Sequence, residues 1–170
     1  MSFSASRSRR LLPSEPTLGL ITFQLRQNFF CLPLKRARRV APYPKNGLDY
    51  GTGIAQIQNQ NIPIVDLAAL VYPPVALLSG TPEAWDVRTA SCSPLQHLLL
   101  VDLPEAGTVG LLTEGTPALR RVPLSACSPI PPVYLTMHSM QGVNTVISIG
   151  KDAPPLFLLE VENLLPRLPV

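Results

Sequence analysis

An all-β fold with short helical turns, built from about nine or ten short strands in the manner of small barrels or a sandwich, is what this 170-residue sequence predicts. Three observations carry the prediction. There are 20 prolines, more than twice the usual share of roughly 5%, and they fall between short apolar runs, which disfavours long helices. Several runs alternate apolar and polar residues with the period of two of a strand wetted on one face. Turn signals separate those runs at fairly even spacing.

Residues 1–17 carry Ser, Arg and Pro without a hydrophobic period and read as a disordered basic tail. Structure is expected from Leu18. In residues 20–25, Ile21, Phe23 and Leu25 alternate with Thr22 and Gln24. Residues 29–34 are apolar on both faces, and Arg26, Gln27 and Asn28 between the two runs give hairpin spacing. Lys35, Arg36, Arg38 and Arg39 follow, before Val40. This strip reads as a charged strand edge, as a surface for an acidic partner, or as a phosphate contact. Residues 41–52, with Pro42, Pro44, Asn46, Gly47 and Gly51, are expected to form a loop.

Residues 53–67 read as a complete hairpin. Ile54, Ile57, Ile62, Ile64 and Val65 supply β-branched side chains for a buried pleated surface, and Gln58, Asn59, Gln60 and Asn61 supply the turn. Asn59 is the residue expected to be left-handed, since Asn tolerates positive φ best among non-Gly residues. Pro63 fits the start of a strand or an edge. Asp66 reads as the cap of a short helical turn over residues 67–71, which Pro73 and Pro74 end.

Residues 72–94 form the longest weakly patterned connection. It is either a decorated surface feature or a crossover between two halves, with a possible short helix at residues 82–87. Trp85 within it is a core plug or an exposed anchor. Residues 95–103 and 108–113 form a second hairpin around Pro104-Glu105-Ala106-Gly107. Further strand-like runs lie at residues 133–137, 142–149 and 156–160, and residues 161–165 look like one terminal helical turn. Residues 167–170 read as a tail.

Eight of the 14 basic residues fall in the first forty positions, and the rest of the chain is near neutral within a net charge of +3. Cys31, Cys92 and Cys127 are odd in number and widely spaced, which suggests neither a disulfide framework nor a zinc site and makes a reducing cytoplasm the expected home. The stretch after Arg9 and Arg10 is broken by Pro13, Glu15 and Pro16, so no secretory signal is expected. The longest apolar run, residues 62–78, contains Asp66, Pro73 and Pro74 and makes no clean membrane span.

No catalytic constellation emerges. His97 and His138 sit singly in or beside expected strands, where a His is usually a hydrogen-bonded structural residue. Gly51-Thr52-Gly53 alone is too short to predict a phosphate loop. The acidic residues do not cluster as metal ligands. No cofactor and no enzymatic activity are expected, which leaves a binding module.

The order of motifs resembles the CheW-like adaptor domains of bacterial chemosensory systems, over residues 18–166. Phe30-Cys31-Leu32-Pro33-Leu34 lies over the family's "yalpl" strand. Residues 53–67 lie without a gap over the segment G-v-i-n-l-R-G-x-x-x-P-v-v-D-L, matching at Gly53, Pro63, Asp66 and Leu67. Residues 109–114 resemble the "vglvVD" strand, Met140-Gln141-Gly142-Val143 the "i-x-G-v" step, and residues 156–165 the closing "lllLDvekLl". The resemblance implies two interlocked, SH3-like five-stranded β-barrels without an active site. It implies a scaffold joining a chemoreceptor's cytoplasmic tip to the regulatory domain of a CheA-type histidine kinase. This chain departs from the pattern at the hairpin tip, with Gln58-Asn59 for Arg-Gly, and in the "vglvVD" strand, with Glu114 or no counterpart for Asp. Losing the arginine removes five donors and a fixed charge.

The expected partner-binding residues are Val40, Ile57, Gln58, Asn59 and Ile62, with Arg36, Arg38 and Arg39 beside them. The apolar members are expected at exposed barrel edges, since exposed apolar patches mark such surfaces. The runner-up function is a basic β-barrel that binds nucleic acid through Arg36, Arg38 and Arg39.

Overall fold

The alternation that marks each run also decides where it pairs. The computed structural model describes residues 15–43, 53–73, 96–104 and 107–164. In chain order these form β1 (Thr17–Leu25), β2 (Asn28–Pro33), β3 (Ala37–Pro42), β4 (Ile54–Ile57), β5 (Gln60–Asp66), α1 (Leu67–Val71), β6 (Gln96–Leu103), β7 (Gly107–Pro123), β8 (Cys127–Pro129), α2 (Pro132–His138), β9 (Val143–Ile147), β10 (Leu156–Leu159) and α3 (Val161–Leu164). Single 3-10 turns, Leu34–Arg36 and Leu124–Ala126, follow β2 and β7.

The strands make two barrels that share β7. One runs β3-β6-β7-β5-β4, using residues 107–114 of β7. The other runs β7-β1-β2-β10-β9, using residues 114–123 of β7, with β8 added beyond β9. The exchange between the halves of the chain is reciprocal. β3 leaves the β1–β2 hairpin to pair with β6, and the far half of β7 leaves the β6–β7 hairpin to pair with β1. The two parallel contacts, β2 with β10 and β7 with β5, are also counterparts. The crossing point on β7 is marked by Gly115 at φ +68° and by a register break on β1 between Thr22 and Gln24. Just beyond it the Thr22 hydroxyl donates to the Ala118 carbonyl at 3.1 Å.

Each barrel has a small core of its own. Leu20, Cys31, Val122, Ile147 and Leu156 fill one, and Ala41, Ala55, Leu98 and Leu112 fill the other. The largest cluster lies between them and takes Phe23, Phe30, Leu67, Leu99, Leu111, Phe157 and Leu164 among others. Phe30 stands at its centre, with ring contacts to Phe23, Tyr72 and Phe157 at 6.5, 6.1 and 5.7 Å.

The hairpin of residues 53–67 forms as expected, with both tip residues left-handed, Gln58 at φ 51° and Asn59 at φ 62°. Positive φ at both positions, not at Asn59 alone, marks a type I′ turn, whose twist matches that of the flanking strands. The Asp66 side chain caps α1 by accepting from the Ala69 amide at 3.1 Å, and Leu67, Leu70 and Val71 go into the core.

Three expectations about the elements are corrected. Residues 133–137 form helix and not strand: Pro132 at the first helical position supplies a preset φ, and Ser139, left-handed at φ 50°, ends α2. The second strand of the β6–β7 hairpin does not stop at Thr113 but runs on to Pro123, because β1 offers it a second partner. β1 begins at Thr17, paired with Pro123. The expected tail at 1–17 is likewise too long: Glu15 accepts from the Ser125 amide, the Pro16 carbonyl accepts from the Leu124 amide, and Thr17 opens β1. The expected helix at residues 82–87, Trp85, Cys92 and residues 1–14 and 167–170 of the expected tails lie outside the described residues.

Gly142 sits at φ +71°, and a Cβ there would stand 2.6 Å from Leu164 Cδ2, a fully buried side chain. Gly142→Ala is therefore expected to destabilise the fold by about 2 kcal/mol or more. Asp66→Ala, which removes only the cap, should cost about 1 kcal/mol. Urea titrations monitored by circular dichroism check both, and equal effects of the two changes would contradict this account.

Candidate functional site

The 3-10 turn after β2 brings Lys35 and Arg36 over a groove of about 250 Å³ whose walls include Leu32, Val101, Leu103, Leu159 and Glu162. Arg36 closes an ion pair with Glu162 of α3 at 2.5 Å across it. Arg38 turns elsewhere. Its guanidinium donates to Thr108 Oγ1 at 3.0 Å and pairs with Asp102 at 3.4 Å, and Thr108 in turn donates to Asp102 at 2.7 Å. Arg39 is exposed on the same strand, past a bulge between Ala37 and Arg39. The basic strip is thus divided, with two of its three arginines already facing carboxylates. Both pairs are partly exposed, the class of ion pair worth little to stability.

Val40 is 37% exposed on β3. Gln58 and Asn59 are exposed at the hairpin tip, and Ile57 is half-buried beside them. Ile62 corrects the expectation of an exposed apolar edge. It is 4% exposed, because the period of two on the β4–β5 hairpin turns Ala55 and Ile62 inward together as a cross-strand pair. The outer face of the hairpin carries Ile54, Gln56, Asn61 and Pro63.

The largest exposed apolar side chains lie elsewhere. Leu119 of β7 is 68% exposed, two residues from Arg121 on one face of the strand. Arg121 pairs with Gly19, and a Cβ on Gly19 would touch Leu34 at 3.7 Å, so Leu34 belongs to the same surface. On α2, Val133 and Met137 point outward, one helical turn apart. None of these was singled out from sequence. An available signal was Pro131-Pro132 ahead of an apolar run, a helix start.

Among the described residues neither His97 nor His138 is hydrogen-bonded to Cys31 or Cys127. The His97 backbone carbonyl accepts from the Thr113 hydroxyl at 3.2 Å, and its buried Nδ1 has no hydrogen-bond partner among the described residues. His138 is exposed and lies 4.2 Å from the Tyr134 ring. Among the described residues no cluster of three His, Cys, Asp or Glu could hold a metal ion, and no helix is long and apolar enough to cross a membrane. Glu114, where the resemblance expects Asp, accepts the Arg26 amide at 2.9 Å, tying the left-handed Arg26 turn to β7.

No family model matches the chain, and no curated protein matches it in sequence. Among solved structures it superposes on the scaffolding protein TtCheW from Thermoanaerobacter tengcongensis with a TM-score of 0.55 and 13% identity, covering 85% of this chain and 89% of that chain. The fold is CheW-like. Gln58-Asn59 and Glu114 therefore occur within a CheW-like frame, and the departures from the family's motif leave the two-barrel architecture standing.

Cys31 is fully buried in a barrel core, where its thiol donates to the Phe157 carbonyl at 3.6 Å. Burial, with a smaller contribution from Cys127, pushes the Cys31 thiol up from 9.0 to about 12. A thiolate is the reactive form, so native Cys31 is inert at neutral pH. Iodoacetamide at pH 8 is expected to leave Cys31 unmodified in the native protein and to label it after unfolding, as read by peptide mass spectrometry. Since the folded value is the higher one, this thiol's contribution to stability is fully present below pH 9.0 and is lost as pH rises towards about 12.

Proposed function

We propose that the protein is a non-catalytic scaffold in a bacterial chemosensory or motility pathway, coupling a receptor's cytoplasmic tip to the regulatory domain of a CheA-type histidine kinase in the cytoplasm. The observation that supports this is the two-barrel superposition on a CheW scaffolding protein across most of both chains. Leu34 and Leu119, exposed on one surface of a barrel, fit the reading, since contiguous exposed apolar patches mark protein contacts. Val40 lies on one barrel, and Leu34 with Leu119 on the other, so two partners can be held at once. The exposed tip, Gln58 and Asn59, offers amide hydrogen bonds where the resemblance expects a charge.

Calorimetric titration against the cognate kinase regulatory domain and against a receptor-tip fragment tests the reading. Complexes are expected with dissociation constants of about 50 µM or tighter. Val40→Glu and Leu119→Asp, both exposed and so tolerated by the fold, should each weaken one of the two complexes by about tenfold, roughly 1.4 kcal/mol. No complex with either partner, or no effect of either change, overturns the proposal.

A further inference from the structure

Sheet edges that stay open are normally guarded by charge, proline, a bulge or brevity, because unpaired backbone groups recruit other strands. Four strand edges are open among the described residues, on β3, β4, β8 and the far half of β7. β3 carries Arg38, Arg39, Pro42 and a bulge. The far half of β7 carries Pro117, Arg120, Arg121 and Pro123. β8 has three residues and ends in Pro129. β4, Ile54-Ala55-Gln56-Ile57, is short at four residues but carries no charge, proline or bulge, and no charged residue occurs anywhere from Gly53 to Val65.

The hairpin's own bonding shows which groups face the opening. A two-residue turn makes Ile57 and Gln60 a hydrogen-bonded pair, and hydrogen-bonded pairs then alternate along the ladder. The Ile64 amide donates to the Gly53 carbonyl at 2.6 Å, on that same alternation, and Pro63, which has no amide hydrogen, falls on a non-bonded pair with Ile54. Ala55 and Ile57 are therefore committed to β5. The amide and carbonyl groups of Ile54 and Gln56 point away from it, into the open edge.

We infer that this edge pairs with the same edge of a second copy of the chain, antiparallel, about a two-fold axis at Gln56. Such an axis keeps inner faces with inner faces. Gln56 then meets Gln56 of the second copy with two backbone hydrogen bonds, and Ala55 meets Ile57, small against large. The absence of charge along the hairpin removes the repulsion that like chains would otherwise meet on close approach. Ile54, 42% exposed on the outer face, gains cover from the partner strand. In the other barrel the corresponding place beside β9 is taken by β8 from within the chain, in antiparallel register with Cys127 opposite Ile147. The inference is independent of the scaffold reading.

Sedimentation velocity of the full chain alone, from about 1 to 500 µM, tests it. A concentration-dependent monomer–dimer equilibrium is expected. Gln56→Lys, an exposed outward position, places two like charges across the axis and should weaken dimerisation at least tenfold. Gln56→Pro removes an amide the β5 ladder does not use and should do the same, while Arg120→Glu on the guarded β7 edge should have no effect. Circular dichroism reports that each variant is folded. A chain monomeric throughout the range overturns the inference, as does a dimer that folded Gln56→Lys leaves unweakened.

Discussion

The structure depends on one long strand serving two barrels. β7 supplies residues 107–114 to the barrel of β3 to β6 and residues 114–123 to the barrel of β1, β2, β9 and β10. The first barrel takes its strands from one stretch of chain, residues 37–114, whereas the second has to bring residues 17–33 together with residues 114–159. β1 must wait for residues about a hundred positions further on, as the pairing of Thr17 with Pro123 shows. Contacts of this separation slow folding, because loop-closure entropy is lost before the pairing returns anything. The same arrangement makes the two small cores subordinate to the large one between the barrels, where Phe30 and its aromatic neighbours hold both halves together.

Charge in this protein is used mainly to close off surface. Arg38 and Arg39 guard β3, Arg120 and Arg121 guard β7, and Arg36 reaches over the inter-barrel groove to Glu162. A basic strip that looks continuous in sequence is spread over a 3-10 turn and a bulged edge, so it does not present the row of free cations that phosphate binding favours. Arg26 shows a further use. Its guanidinium lies 4.7 Å over the Tyr72 ring, whose hydroxyl accepts from Asn28 at 2.7 Å, so the first hairpin's turn is fastened to the end of α1.

What was legible in the sequence was whatever a local pattern determined. The hairpins at residues 53–67 and 20–33, the Asp66 cap and the terminal turn at α3 each depend on residues within a few positions of one another. The far half of β7 was not legible, because an edge strand exposed on several consecutive residues, 118–121, keeps no apolar alternation to read. α2 was missed for a related reason. It turns Val133 and Met137 outward and Tyr134 and Leu135 inward, so its apolar residues fall all round and mimic a buried strand. Of the expected partner residues, Ile62 is buried and not at an exposed edge, because its side of the pleat was set by pairing with Ala55, which composition alone does not fix.

The tip at Gln58 and Asn59 shows how fold and contact chemistry separate at one position. Left-handed backbone disfavours any long L side chain there, whether Gln or Arg, because the steric cost arises at Cβ. An arginine at 58 would meet the same backbone demand that Gln58 already meets at φ 51°. The turn therefore does not select against arginine, and its absence leaves the whole segment from Gly53 to Val65 uncharged. Uncharged tip and unguarded β4 edge belong to one hairpin, and both act in the same direction: they remove electrostatic selectivity and leave backbone pairing and apolar contact to decide what approaches this end of the barrel.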